Sequence, residues 1–204
     1  MLLKFYGGSI NQKHLETIID SLKRDGVIII PTDTVYALAC SIHSHKAIDR
    51  VSRIRGIKLE KANFSFLCHD LSNISEFTKP FSNEIFRLMK SSLPGPFTFI
   101  LEANAKVPAI FKSNKKTIGI RVPDNEIALA IEEALGHPLM VSSLRSDDEF
   151  EEYMTDPDEI DSRYGNLVDI VVDGGPGKFL PSTVIDCTSG SPVTVRKGKG
   201  EIEE

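Results

Sequence analysis

The stretch "GVIIIPTDTVYALAC", from Gly26 to Cys40, decides the fold because it joins two apolar runs through a polar segment. Val27 to Ile30 is a continuous β-branched run of the kind that forms a strand buried on both faces. Pro31 breaks this run, and the polar residues Thr32 to Thr34 follow before apolar residues return at Val35. The stretch therefore predicts either a turn between two strands or the polar lining of a pocket.

Helical and strand patterns alternate on both sides of this stretch. Leu15, Ile18, Ile19 and Leu22 recur at helical spacing before Gly26, which predicts an amphipathic helix. Further helices are predicted in "AIDRVSRI", "NEIFRLMKSSL" and "NEIALAIEEALG", and strands in "FSFLC", "FTFIL", "TIGIRV", "LMVSS", "LVDIVV", "STVIDC" and "PVTVR". This interleaving predicts an α/β fold, and the crowded strands after Leu167 indicate that part of the sheet is antiparallel.

Length and composition indicate one soluble domain over residues 1–204. The chain has 204 residues, 41% of them hydrophobic and 26% charged, within the range for a globular domain. No apolar run is long enough for a membrane span and no leader pattern is visible, so we expect a cytoplasmic protein without a membrane partner. Cys40, Cys68 and Cys187 are widely spaced, which predicts buried reduced thiols and no metal site.

Charge is unevenly distributed. The net charge of −5 argues against nucleic-acid binding by the surface as a whole. The stretch from Asp147 to Asp161 holds nine acidic residues in fifteen, whereas Arg53 to Lys61 and Lys112 to Arg121 each carry four basic residues. A second reading of each run is a solvated charged surface. Together with "RKGK" at Arg196, the basic clusters indicate a ligand that bears phosphate.

The motif that looks most like a phosphate loop fails on inspection. "DGGPGK", from Asp173 to Lys178, has Val172 where the first glycine of a Walker motif belongs and Phe179 at the Ser/Thr position. Hydroxyl side chains at predicted strand ends are better candidates, because ligands of open α/β sheets bind there, although capping or turn roles are the alternative for each one. They are Thr32, Thr34, Thr98, Ser142, Ser143, Ser182 and Thr183.

Six segments, taken in order, resemble one family. They are "PTDTVYALAC" from Pro31, "RIRGIKLEKANFSFLC" from Arg53, "PGPFTFIL" from Pro94, "TIGIRVP" from Thr117, "PSTVID" from Pro181 and "VRKG" from Val195. The chain resembles the YrdC/YciO family, which includes the threonylcarbamoyl-AMP synthases, and it is most similar to the YciO branch. The resemblance implies a twisted mixed sheet with flanking helices around a deep, basic cavity.

The resemblance also implies a reaction. The synthases join threonine, bicarbonate and ATP into threonylcarbamoyl-AMP and pyrophosphate, and the product serves tRNA modification. By this resemblance Arg55, Lys58 and Lys61 are catalytic, and Mg²⁺ arrives with the phosphates instead of through a protein metal site. The nucleotide and the amino acid are expected at Thr32, Thr34, Thr98, Arg121, Ser142, Ser143, Ser182, Thr183 and Arg196, with Tyr36 as a wall.

Two departures fall on the chemical positions of the family pattern. Arg55 and Ile57 stand where the synthases carry Lys-x-Arg, and Leu144 and Ser146 stand where they carry Ser-x-Asn. A lysine such as Lys58 supplies charge but not the planar, bidentate fork of an arginine. The alternative function is therefore a YciO-type module that binds nucleotide or double-stranded RNA with little or no synthase activity.

Overall fold

A computed structural model of the protein describes residues 1–5, 10–59, 64–72, 74–108, 116–144 and 153–201. Its α-helices in this part of the chain are α1 (Gln12–Lys23), α2 (His45–Ile54), α3 (Asn83–Ser92), α4 (Glu126–Leu135) and α5 (Pro157–Tyr164). Its strands are β1 (Leu2–Lys4), β2 (Ile28–Ile30), β3 (Ala37–Ser41), β4 (Ser65–Leu67), β5 (Phe97–Glu102), β6 (Thr117–Arg121), β7 (Leu139–Ser143), β8 (Ile170–Asp173), β9 (Thr183–Asp186) and β10 (Val193–Arg196).

Within the described ranges the strands form one sheet in the order β1-β8-β2-β3-β7-β4-β6-β5-β9-β10. The pairs β1–β8, β2–β8, β4–β6 and β5–β9 are parallel. The pairs β2–β3, β3–β7, β4–β7, β5–β6 and β9–β10 are antiparallel. The predicted α/β fold with a mixed sheet is confirmed.

The helices begin where the sequence provides capping side chains. Asn11, Ser44, Ser82 and Asn125 each accept a hydrogen bond from the backbone N–H three residues later. These side chains satisfy backbone donors that have no partner inside a helix. At the other end of α4, Gly136 adopts the left-handed conformation with φ of 79° and closes the helix, as predicted.

One face of the sheet, which we call the first face, is partly covered by α1 and α4. The buried apolar side chains Ile18 and Leu22 of α1 and Ile131 of α4 pack there in one cluster. Their partners on the sheet lie in β2, β3, β7 and β8: Ile28, Ile30, Ala39, Leu139, Val141, Ile170 and Val172. This burial explains the apolar stripe that predicts α1.

The opposite, second face is covered by α2, α3 and α5. Ile48 and Val51 of α2, Met89 of α3 and Ile160 of α5 belong to a second apolar cluster. The sheet contributes side chains from both of its halves: Ile29, Leu38, Phe66, Phe99, Leu101, Ile118, Ile120, Met140, Val171 and Ile185. Side chains alternate between faces along a strand, so the residues next to these in β5, β6 and β9 point to the first face.

The part of the first face formed by β5, β6 and β9 lies beyond the α1 and α4 cluster, and we call it the open face. Its side chains are those of Thr98, Ile100, Glu102, Thr117, Arg121, Val184 and Asp186, with Gly119 among them. The register supports this assignment, because Ile100 lies opposite Gly119 and Glu102 lies opposite Thr117. The open face is the floor of the candidate site.

The segment from Pro31 to Tyr36 connects β2 to β3, which pair antiparallel with Ile30 opposite Ala37. The segment is therefore a turn between two strands, one of the two alternatives that its sequence leaves open. All three cysteines are buried and unpaired, as expected. In the described ranges no helix is both long and apolar enough to cross a membrane.

Candidate functional site

A cavity of about 810 Å³ lies over the open face. Besides the open face, its lining includes Ala37, Leu59, Phe64, Ser65, Val141, Ser142, Ser143, Ser182, Thr188, Val195 and Arg196. The volume falls in the range of about 300–1,000 Å³ that is usual for small-molecule sites. Nine of its twenty lining residues are glycine, alanine, serine or threonine, which leaves space above the sheet for a ligand.

A group of hydroxyls and one guanidinium lies where β5, β9 and β10 meet. The Oγ1 of Thr98 and the Oγ of Ser182 are 2.8 Å apart and share a hydrogen bond. Arg196 Nη2 donates to the Ser182 carbonyl at 2.8 Å and to its Oγ at 3.2 Å. These bonds hold Ser182 in place beside the cavity, with a cation next to its hydroxyl. Such a group is suited to phosphate oxygens.

Arg121 is a buried cation in the cavity wall. Its Nη2 lies 2.6 Å from Asp33 Oδ1, and the two side chains are only 7% and 5% exposed. The same nitrogen donates to Thr32 Oγ1 at 3.2 Å and to Thr34 Oγ1. Burial lowers the pKa of Arg121 from its ordinary value, and the charge of Asp33 opposes that shift. Thr32 and Thr34 thus face Arg121 and are not among the cavity-lining residues.

Two polar atoms of this ion pair are left over. Arg121 Nε and Asp33 Oδ2 are buried and have no hydrogen-bond partner among the described residues. Buried polar atoms of folded proteins are almost always satisfied, so each unsatisfied one calls for a water or a ligand atom. Since Arg121 borders the cavity, its unpaired N–H is suited to a ligand acceptor.

The turn that carries Asp33 is held by two other segments. Lys199 Nζ donates to the Asp33 carbonyl at 2.7 Å, and the backbone N–H of Lys178 donates to the Thr34 carbonyl at 3.1 Å. Tyr36, at the end of the turn, also contacts the second of these segments, because its hydroxyl donates to the Gly175 carbonyl at 2.7 Å. Burial raises the pKa of Tyr36 to about 12, so the hydroxyl keeps its proton.

The glycine-rich "DGGPGK" segment packs against this turn. A Cβ on Gly177 would lie 2.8 Å from the Tyr36 ring, closer than real side chains approach, so only glycine fits. The same contact accounts for a glycine in a segment that lacks the first glycine and the Ser/Thr residue of a phosphate loop. Its glycines allow close packing of backbone against Tyr36.

The predicted basic residues after α2 are dispersed. Arg55 Nη1 donates to the backbone carbonyl of Ser143, a residue of the cavity border. Lys58 is exposed and is not among the lining residues, although its neighbour Leu59 is. Lys61 lies outside the described residues. Of the two described residues, the structure therefore relates Arg55 to the cavity, through the backbone of β7.

The predicted hydroxyl residues of the strands differ in whether they border the cavity. Thr98, Ser142, Ser143 and Ser182 border the cavity together with Arg121 and Arg196. Thr183 follows Ser182 but points to the second face, because alternate residues of a strand face opposite ways. Its Oγ1 donates to the Gly200 carbonyl at 2.6 Å and accepts from the Gly198 N–H at 3.0 Å.

The departures from the synthase pattern have a structural consequence at Leu144. This side chain is 4% exposed and belongs to the apolar cluster of the second face. Its backbone N–H donates to the Tyr36 carbonyl at 2.9 Å, which extends the β3–β7 pairing. Leu144 is thus a packing residue, and Ser146, the second position of that motif, lies outside the described residues.

Sequence reasoning did not single out Gly119, Ser65, Glu102 and Asp186, which the structure places on the cavity lining. A Cβ on Gly119 would lie 2.4 Å from Ser65 Oγ and 3.2 Å from Thr98 Cγ2. The site therefore has no room for a side chain at this position of the cavity floor. The signal was present in the two-residue alternation of β5, β6 and β9 around Thr98, Arg121 and Val184. In the described part of the chain, no group of three or more His, Cys, Asp or Glu could hold a metal ion.

The fold and this cavity define a class of protein: a mixed sheet with a hydroxyl-lined pocket, which contains two arginines and two carboxylates, on half of one face. The family model Sua5/YciO/YrdC, described as "Telomere recombination", matches residues 20–198. The chain belongs to this family. The YciO protein of Escherichia coli strain K12 is 41% identical over 194 residues, which are 94% of this chain and 92% of that protein.

Solved structures agree with this assignment. The crystal structure of E. coli YciO matches with a TM-score of 0.91 and 39% identity, over 98% of this chain and 97% of that one. The crystal structure of Pyrococcus abyssi Sua5 complexed with L-threonine matches the fold with a TM-score of 0.89 and 23% identity, over 97% of this chain and 57% of that one. A putative threonylcarbamoyl-AMP synthase of Methanocaldococcus jannaschii is 29% identical, over 97% of this chain and 92% of that protein.

Proposed function

We propose that this protein binds ATP and threonine in the cavity over the open face and forms threonylcarbamoyl-AMP, for use in tRNA modification. One observation carries the proposal: Thr98, Ser182 and Arg196 form a hydrogen-bonded group on the cavity border. Support comes from the family, which includes a putative threonylcarbamoyl-AMP synthase and a relative whose structure contains L-threonine.

In this reaction the amino group of threonine adds to bicarbonate, and water leaves to give N-carboxythreonine. An oxygen of the new N-carboxylate group attacks the α-phosphorus of ATP, and the bond from that phosphorus to pyrophosphate breaks. Mg²⁺ travels with the triphosphate and offsets its charge. Arg196, Thr98 and Ser182 would hold phosphate oxygens. They would accelerate the attack on the α-phosphorus by positioning the triphosphate and stabilising its charge.

Arg121 has a different part in this proposal. Its charge is already matched by Asp33, so it is less available to a second anion than Arg196. Its unsatisfied Nε–H would donate a hydrogen bond to a carboxylate or carbamate oxygen. Thr32 and Thr34 would then act on the ligand through Arg121, whose orientation they fix.

Pyrophosphate release from ATP tests the proposal. We expect release only when threonine and bicarbonate are both present, and a rate at least about tenfold lower in Ser182→Ala, because a hydrogen bond to a charged group is lost. Release that does not depend on threonine and bicarbonate, or a Ser182→Ala rate equal to that of the wild type, would contradict the assignment.

Arg55 and Arg53 offer a matched pair for the same assay. Arg55 supports the Ser143 carbonyl at the cavity border, whereas Arg53 is exposed and pairs with Asp49 four residues earlier. We expect Arg55→Ala to weaken ATP binding measured by calorimetry and Arg53→Ala to leave it within about twofold, since exposed ion pairs contribute little. Equal effects would show that Arg55 has no particular relation to the site.

A second candidate function is nucleotide or double-stranded RNA binding without efficient synthesis. Two observations favour it: Lys58, the substitute for the missing cation of the Lys-x-Arg pair, is exposed and is not on the lining, and Leu144, at a synthase-type position, packs in the core. Positioning groups act mainly on the transition state, so their loss reduces turnover more than affinity. Calorimetric ATP binding without pyrophosphate release, together with salt-sensitive retention of a double-stranded RNA, would favour this function over the synthase.

A further inference from the structure

The cavity has a negative end as well as a positive one. Asp186 of β9 and Glu102 of β5 both border it, in a pocket whose other charged lining residues are Arg121 and Arg196. Carboxylates repel phosphate groups, so two carboxylates are unfavourable in a site that binds only phosphates. Part of the ligand must therefore present hydrogen-bond donors instead of anionic oxygens.

The register fixes how far each carboxylate lies from the phosphate-binding group. Val184 of β9 pairs with Thr98 on one side and with Arg196 on the other. Asp186 is two residues further along β9, which corresponds to about 7 Å at the usual rise per residue. Glu102 is four residues from Thr98 along β5, or about 13 Å. Asp186 is thus the nearer carboxylate.

Asp186 also has a free acceptor in a fixed position. Its Oδ1 accepts from the backbone N–H of Thr188 at 2.9 Å and from the Thr188 hydroxyl at 2.6 Å. Its Oδ2 accepts no hydrogen bond from any residue that the structure describes. Glu102 differs, because Lys79 Nζ lies 3.1 Å from its Oε2 and about half of its side chain is exposed.

A second observation indicates that a ligand belongs in this cavity. Arg121 is 6% exposed and borders the cavity, and its Nε has no partner among the described residues. The buried donor Arg121 Nε and the acceptor Asp186 Oδ2, both without a partner among the described residues, therefore belong to two residues that border one cavity. A ligand that satisfies both must combine acceptor oxygens with hydroxyl or amine donors.

We propose that Asp186 binds the sugar hydroxyls of a ribonucleotide whose phosphates lie against Thr98, Ser182 and Arg196. The 2′-hydroxyl and 3′-hydroxyl are adjacent donors, within reach of a carboxylate that lies about 7 Å along β9 from Val184, the residue paired with Thr98 and Arg196. Carboxylates bind sugar hydroxyls in other nucleotide sites. The apolar side chains of Ile100, Val184 and Val195 lie beside them on the lining and suit the base. The site then selects ribonucleotides over 2′-deoxyribonucleotides.

This inference rests on the proposed nucleotide site, and calorimetry with Mg-ATP and Mg-2′-deoxy-ATP separates the two. We expect the wild type to bind ATP at least about tenfold more tightly than 2′-deoxy-ATP, as loss of a charge-assisted hydrogen bond requires. Asp186→Asn keeps an acceptor for Thr188 but replaces the free oxygen with an NH₂ group. It should weaken ATP binding about tenfold and 2′-deoxy-ATP binding less, because 2′-deoxy-ATP offers only its 3′-hydroxyl to Asp186, and the preference for ATP should therefore shrink.

Glu102→Gln is the matched control, because it removes a carboxylate from the same cavity without touching Asp186. We expect it to retain the wild-type preference for ATP. Equal affinity of the wild type for both nucleotides, or an unchanged preference in Asp186→Asn, would overturn the role of Asp186 and leave the nucleotide site intact. Failure of the folded wild type to bind either nucleotide would overturn the proposed function and this inference together.

Discussion

The two halves of the first face differ in what covers them. In the half built on β2, β3 and β8, helices α1 and α4 bury the sheet, and the strand Ile28 to Ile30 is apolar on both sides. In the half built on β5, β6 and β9, Thr98, Ile100 and Glu102 alternate with the buried Phe99 and Leu101. We therefore expect a strand with one partly polar side, in a sheet otherwise buried on both faces, to indicate a binding surface.

The open half is held by a polar network where the covered half is held by apolar packing, and this gives the largest expected effect. Asp33→Ala would leave the buried Arg121 without its counter-charge, so the free energy of unfolding should fall by about 3–5 kcal/mol. Asp49→Ala, which breaks the exposed pair with Arg53, should cost less than about 1 kcal/mol. Chemical denaturation measures both, and equal losses would show that the open half does not depend on the network.

The covered half should respond to loss of apolar volume more than the open half does. Ile18 of α1 is fully buried, whereas Ile100 borders the cavity. We expect Ile18→Ala to lower the free energy of unfolding by about 2–5 kcal/mol, and Ile100→Ala to lower it by less than half as much, because a side chain beside a cavity loses fewer contacts. Denaturation curves of the two variants that coincide would contradict the distinction between the halves.

The smallest expected effect concerns a carboxyl at the edge of the covered half. Burial raises the pKa of Glu132 on α4 above its ordinary value, although the backbone N–H of His69 opposes this shift. A raised folded-state pKa contributes stability at low pH that is lost as the pH rises through that pKa. Glu132→Gln should therefore gain melting temperature relative to the wild type as the pH rises above 4.5, the ordinary pKa of a glutamate carboxyl.

The exposed neighbour Glu133 provides the control for that pH series, because its side chain is 71% exposed. Glu133→Gln should follow the wild-type melting curve across the same pH range. A Glu132→Gln advantage that is constant with pH would show that packing, and not ionisation, causes it.

Much of the fold could be predicted from the sequence because its signals are local. The spacing of Leu15, Ile18 and Leu22 predicts α1, Gly136 ends α4 as expected, and the β-branched run before Pro31 forms β2. The strand order could not be predicted, since it depends on which strands pair far apart in the chain. β2, for example, pairs with β8 from the far end of the sequence.

The site was predictable only in part, for a similar reason. The hydroxyls of Thr98 and Ser182 and the cation of Arg196 stand out in the sequence, but their mutual contact depends on β5 pairing with β9. Asp33 as the partner of Arg121 links residues 88 apart, which no local pattern indicates. Thr183 is expected at the ligand from the sequence but points to the second face, because one step along a strand moves a side chain to the other face.

A crystal structure of the protein with Mg-ATP and threonine tests most directly the claim that the open face is the ligand site. We expect phosphate oxygens within hydrogen-bond distance of Thr98 Oγ1, Ser182 Oγ and the Arg196 guanidinium, and an acceptor atom of a ligand at Arg121 Nε. Nucleotide bound outside the cavity, or an empty cavity at concentrations that saturate the protein in calorimetry, would contradict the claim.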